Sequence, residues 1–267
     1  MLNRNISNVI VARLLGAVAL AQYAIGRFGE PVVATVRNSI SAVILPEMVR
    51  KDRGGTSGGT ALALWQKATV VNTIMLFPIV VLVGRYAEPL VTLVFGASYA
   101  TAGLIMQIYM LVVIRECFDF APALRAVNRT RPLVESNIAG LLACSVAMVL
   151  LIPLIGLPGA MFAFVIGSYV DVAWLAWRTL SAYEIGVREL LPWQSIGKTA
   201  AAAVMASVLI LSSAWTDVFG RAPGIVIGGL IYIAAFILLL QLMRIPEVLV
   251  LQAWGKRLVL RHQSREV

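Results

Sequence analysis

Six stretches of this chain are so long and apolar that water is the wrong solvent for them. They cover roughly residues 64–84, 101–124, 133–154, 158–179, 195–216 and 222–243. A helix needs about 20 mostly apolar residues to cross the hydrocarbon core of a bilayer, and each window meets that length. Composition agrees, with 60% hydrophobic and 13% charged residues, where soluble domains are about half apolar and about a quarter charged. The expected fold class is therefore an all-α integral membrane protein.

The first 48 residues admit two readings. In one, Ile6–Ile25 and Val32–Val49 are separate spans joined by "GRFGEP". In the other, the chain turns near Gly16–Ala19 and runs as one long helix from Gln22 to Met48, leaving a first helix too short to span. Both readings bring the expected total to about eight segments, the first of them partial in the second reading.

Lysine and arginine in the connections set orientation. Alternate connections carry Arg50, Lys51, Arg53 and Lys67; then Arg125, Arg129 and Arg131; then Arg178, Arg188 and Lys198, while the tail adds Arg244, Lys256, Arg257, Arg261 and Arg265. The opposite connections hold only Arg85 and Arg221. This asymmetry places the basic loops and both termini in the cytoplasm. It also explains the net charge of +9 as a topology signal, since the cations are dispersed between apolar runs rather than gathered into a nucleic-acid stripe.

Several chemistries find no residues to carry them. Cys117 and Cys144 both fall in spans and form no CxxC or Cys/His grouping, and the sole histidine, His262, lies in the charged tail. The N-terminus has no cleavable-leader pattern, because Arg13 interrupts its apolar part. "KDRGGTSGGT" (51–60) reads as a flexible linker, lacking the Lys-Ser/Thr of a phosphate loop. The tail from Pro246 mixes apolar and basic residues, which suits either a helix lying on an anionic leaflet or a disordered basic end. No loop offers a paired-carboxylate motif, a Ser/His/Asp set or a metal cluster, so neither an enzyme nor a cofactor or metal is expected.

What remains are charges where lipid should be. A charged side chain at membrane depth is costly and faces a bundle interior or a water-filled cleft. Arg27, Glu30, Ala34, Arg37, Asn38 and Ser41 follow helical spacings of three and four; Gln107, Leu111, Arg115 and Asp119 share another face, with Glu116 beside it; and Ser168, Asp171 and Arg178 line up on a third. Three polar stripes predict a shared hydrated cleft. Two plainer readings stand beside it: Arg115 and Asp119 can form an intrahelical ion pair, and Arg125 and Arg178 can anchor helix ends at the interface. Pro78, Pro122, Pro153 and Pro158 predict kinks or breaks.

Four passages, "LGAVALAQYAIG" (15–26), "AEPLVTLVFGASYATAGLIMQIY" (87–109), "RAVNRTRPLVESN" (125–137) and "LLIPLIGLPGAMFAF" (150–164), together resemble the polysaccharide flippases. These are the Wzx-type members of the multidrug/oligosaccharidyl-lipid/polysaccharide exporter superfamily. The resemblance implies two six-helix lobes around a central cavity, often followed by two extra helices. This sequence would supply the second lobe (1–180), the two extra helices (181–243) and a basic cytoplasmic tail (244–267). Its partners, in the bacterial inner membrane, would be membrane lipids and either a first lobe supplied separately or polysaccharide assembly proteins.

The implied cargo is an undecaprenyl-pyrophosphate-linked oligosaccharide, moved between leaflets for surface polysaccharide synthesis. The first candidates to hold its pyrophosphate are Arg37 and Arg115, followed by Arg27, with Glu30, Asn38, Asp119 and Asp171 in the same cavity wall. A drug or cation antiporter of the same superfamily, or a half-protein that does not transport, are the competing implications. The orientation is directly testable: a reporter active only in the periplasm, fused after Arg53, should be silent, and an active fusion would reverse the assignment.

Overall fold

The computed structural model describes residues 2–53, 59–211 and 220–244. These are helical almost throughout, with no strand among them. In chain order the helices are α1 (Leu2–Gly26), α2 (Glu30–Arg53), α3 (Gly59–Phe95), α4 (Thr101–Glu116), α5 (Ala121–Ala126), α6 (Arg131–Ile155), α7 (Leu157–Tyr183), α8 (Val187–Leu190), α9 (Trp193–Leu211) and α10 (Arg221–Leu242). Five helical stretches are long and apolar enough to cross a membrane: Asn5–Lys51, Gly59–Phe95, Arg131–Ile155, Leu157–Tyr183 and Ala222–Leu242. The centre of the predicted linker (54–58), the end of the window at 195–216 and the basic tail beyond Arg244 lie outside the described residues.

Gly16 settles the N-terminal ambiguity. Its backbone sits at φ +85°, ψ 179°, a region that a Cβ makes costly and glycine visits freely. Ser7 lies 3.7 Å from Cys144 on α6, and Tyr23 approaches the same two residues. A straight helix would hold positions 7 and 23 about 24 Å apart, so α1 folds back on itself at Gly16. The expected single helix from Gln22 to Met48 is interrupted once more. Residues 27–29 form a tight turn, with Arg27 N–H donating to Ala24 O and Glu30 N–H to Arg27 O. Pro31, which has no N–H to continue the ladder, suits only the first turn of the helix that restarts there.

Pro122 divides the window expected at 101–124. Proline in a helix interior removes one hydrogen bond and clashes with the carbonyl four residues back, here that of Phe118. The helix accordingly ends at Glu116 and resumes as α5 at Ala121. Specific partners hold the gap: Asp119 Oδ1 accepts from Ala121 N–H at 3.1 Å, and the Trp65 indole donates to the Asp119 carbonyl at 2.6 Å. By contrast α3 continues through both Pro78 and Pro89. It also absorbs Arg85, expected in a connection, whose Nε donates to the Ile210 carbonyl in the last turn of α9.

Two apolar cores fill the bundle. One gathers α1, α4, α6 and α7 around Tyr23, Ile105, Tyr109, Met148 and Met161. The other gathers α3, α5, α9 and α10 around Trp65, Phe120, Leu124, Ile210 and Tyr232. Phe118, in the α4–α5 break, packs against both.

Outward-facing residues invert the usual rule. On α6, Val134, Ile138, Leu142, Val146, Val149 and Leu154 form an exposed ridge, and Val226, Leu230, Ile233 and Ile237 do so on α10. Contiguous apolar surface on this scale is stable against lipid and a liability in water. The chain is an all-helical, multi-pass membrane protein.

The α6–α7 pair is held close by glycine. A Cβ on Gly167 would lie 2.6 Å from both the Gly140 carbonyl oxygen and Cys144 Cβ, whereas one on Gly197 would meet nothing within 4 Å. Gly167→Ala should therefore destabilise by about 1–3 kcal/mol through overpacking. Gly197→Ala, in an open helical position, should be neutral or stabilising by up to about 1 kcal/mol. Thermal denaturation of both variants in detergent tests this, and equal midpoints would refute the close packing.

Candidate functional site

The break at 117–120 does more than interrupt a helix. It frees the last residue of α4, Glu116, and the loop residue Asp119 to face α2, which packs against α5. Arg37, in the middle of α2, pairs through Nη1 with Glu116 Oε2 and lies 3.8 Å through Nε from Asp119 Oδ2. Arg115 pairs with Glu116 Oε1 at 2.9 Å and, through Nη2, with Asp171 Oδ2 on α7; its Nε donates to the Ser168 carbonyl at 3.2 Å. Ser41 adds a hydrogen bond to Asp119 Oδ2 at 3.3 Å. Two arginines and three carboxylates thus form one network joining α2, α4 and α7.

Its depth follows from α7. Asp171 stands near the middle of a 27-residue helix, which puts it about 18–21 Å along the axis from either end. The Arg115 side chain is only 11% exposed. An ion so placed is tolerated because it is paired and hydrogen-bonded. The network is the physical condition for charge at this depth.

Beside the network lies a cavity of about 560 Å³. Its wall includes Arg37, Asn38 and Ser41 of α2, Arg115, Glu116 and Asp119, Pro122 and Arg125 at α5, Asn137 of α6, and Asp171. Ser168, Asp171, Asn137 and Gly140 line a smaller recess of about 120 Å³ with Arg115 and Glu116. Within the described residues, Ser168 Oγ and Asp171 Oδ1 are buried without a hydrogen-bond partner. Such atoms mark a polar pocket suited to water or a polar ligand group.

Of the residues singled out in the sequence, Arg37, Asn38, Arg115, Asp119 and Asp171 therefore line one cavity. Arg27 and Glu30 lie elsewhere. Arg27 is buried over the Phe164 ring at 4.2 Å and pairs with Glu30 at 2.9 Å, and neither residue lines the cavity. The turn at 27–29 breaks the helical register, so the face running from Arg27 to Ser41 is not continuous.

Two further assignments change. The intrahelical Arg115–Asp119 pair does not form, because α4 ends between them. Gln107 turns away, donating to the Gly84 carbonyl on α3 at 3.1 Å. Arg178 pairs with Glu135 at 2.5 Å and lies over Trp174 and Trp177, as a helix-end anchor does.

Sequence spacing gave Glu116 and Arg125 lesser roles than the structure does. Glu116 bridges the two arginines, and Arg125, expected at the interface, borders the cavity. Pro122 was the available signal, since a break there re-aims everything from Glu116 to Arg125.

Residues 1–103 match the profile of a family described as "Polysaccharide biosynthesis protein". The matched segment runs from α1 to the first turn of α4 and contains Arg37; the rest of the network lies beyond it. No curated protein matches the chain.

Removing one member of a buried ion pair leaves its partner uncompensated, at a cost of about 3–5 kcal/mol. Arg115→Ala, which strands Asp171, should destabilise by that order. The double change Arg115→Ala/Asp171→Ala should recover part of the loss. Denaturation midpoints in detergent report the coupling, and simple additivity of the single changes would show that the pair does not act as a unit.

Proposed function

We propose that this protein takes part in flipping an undecaprenyl-pyrophosphate-linked oligosaccharide across the bacterial inner membrane for surface polysaccharide synthesis. The reading rests on one coincidence. The segment that matches a polysaccharide biosynthesis family also carries Arg37, and Arg37 lies on the polar wall of a cavity between helices. A sugar pyrophosphate is strongly hydrated and anionic, so crossing lipid needs a polar enclosure with arginine donors. The enclosure requires a facing wall, which the resembling two-lobe transporters draw from a first lobe; that lobe is the proposed partner.

In this reading no bond is made or broken in the cargo. The protein supplies a path, and its arginines are held by carboxylates when the cargo is absent. A pyrophosphate entering the cavity competes with Glu116 for Arg37 and with Asp171 for Arg115. Exchange of one anion for another keeps each arginine compensated, while the displaced carboxylates stay in the wall and must take up a proton or a cation. Both termini and the basic loops face the cytoplasm in this scheme.

One observation favours a rival. The five-member network sums to a charge of −1 when all its groups are ionised, which suits a cation antiporter of the same superfamily. Drug-susceptibility assays separate the two readings. For the flippase reading, a strain whose surface glycan depends on this gene should lose that glycan with Arg37→Ala while the protein persists in the membrane fraction. Undiminished glycan with this variant would remove the cavity from the pathway, and a changed drug tolerance in its place would support the antiporter.

A further inference from the structure

The cavity wall holds three arginines and three carboxylates, but the arginines are not equivalent. Arg37 is engaged by Glu116 and Asp119, and Arg115 by Glu116, Asp171 and the Ser168 carbonyl. Arg125 stands apart. It occupies the last turn of α5, is exposed, and has no ion-pair partner among the described residues.

We propose that Arg125 is the residue that first captures the anionic pyrophosphate of the lipid-linked cargo at the mouth of the cavity. The inference rests on the flippase reading above and adds to it a residue and an order of events. Three features carry it. Arg125 lines the same cavity as Arg37 and Arg115. Its guanidinium is uncommitted, so binding an anion there breaks no existing ion pair, whereas binding first at Arg37 or Arg115 must displace a carboxylate. Its backbone is anchored, because the α4–α5 break is pinned by Trp65 and by Asp119, and Tyr183 donates to the Ala123 carbonyl at 2.9 Å. A guanidinium fork on a fixed short helix suits bidentate phosphate recognition.

The cavity extends from Asp171, midway along α7, past Leu175 and toward the start of α6 at Leu133. Arg125 lies at that end, where Arg129 and Arg131 are also found. An anion arriving there meets Arg125 before the compensated pair. The basic loop is thus more than a topology signal: one of its cations is a cargo contact.

The test uses the full chain in nanodiscs of zwitterionic lipid, with farnesyl pyrophosphate as the probe, inorganic pyrophosphate as a head-group control, and calorimetry as the readout. Arg125→Ala should weaken farnesyl pyrophosphate binding by about ten-fold or more. Arg125→Lys should lose less, since it keeps the charge and gives up the fork. Arg129→Ala, a change in the same loop outside the cavity wall, should leave affinity unchanged. Because Arg125 and Arg129 are exposed and have no ion-pair partner among the described residues, all three variants should keep the parent denaturation midpoint.

Unaltered affinity in Arg125→Ala, with loss in Arg37→Ala, would overturn the role of Arg125 and leave the cavity reading standing. Absence of binding by the unmodified chain to either pyrophosphate would overturn both. Displacement of the probe by anionic phospholipid added to the nanodisc would show that Arg125 holds bilayer head groups, and would overturn its role in cargo capture.

Discussion

Charge compensation inside a low-dielectric bundle is the constraint on which the rest of this structure depends. Arg37 and Arg115 stand where lipid or packed helices would surround them, and an isolated ion there is costly enough to unfold the local structure. Three carboxylates, from the end of α4, the loop after it and α7, make them tolerable. Because the partners come from α2, the end of α4 and α7, compensation also fixes how those helices sit. Electrostatics and packing cannot be separated here: the ion network acts as a set of cross-links between helices that are otherwise held by apolar contact.

The α4–α5 break is what allows that network to exist. An uninterrupted helix would have spent the backbone groups of residues 117–120 on itself and kept Asp119 stacked one turn beyond Arg115. Pro122 prevents this, and the indole of Trp65 and the carboxylate of Asp119 satisfy backbone groups in the gap. Non-helical backbone at membrane depth persists where protein or water covers it. In this chain the break lies between two apolar cores and beside a polar cavity.

The proposed function draws on an asymmetry among the cavity's cations. Among the described residues, Arg37 and Arg115 are ion-paired and Arg125 is not. In the proposed scheme, such a wall offers an anion a first contact that displaces no carboxylate. The same wall, read by net charge alone, is balanced, which is why composition by itself cannot separate an anion carrier from a cation carrier.

Much of the fold is legible in the residues themselves. The apolar windows become helices because hydropathy and length add along the chain, and only a helix or a closed barrel satisfies the backbone in lipid. Gly16 marks the hairpin because its conformation is local. Arg37, Asn38, Arg115, Asp119 and Asp171 were recognisable as cavity residues because a charge or amide in an apolar run needs a special explanation. Partner choice was not legible. Whether Arg115 pairs with Asp119, four residues away, or with Asp171, more than fifty away, depends on where α4 stops and which helix it meets. Likewise Arg27 shares a helical spacing with Arg37 but not a site, because the turn at 27–29 shifts the register. Sequence alone determined that this chain lives in a membrane and which residues are out of place there. Only the tertiary structure decided which charges neutralise one another and which arginine is left over, because compensation is a property of distances between helices and not of positions along one.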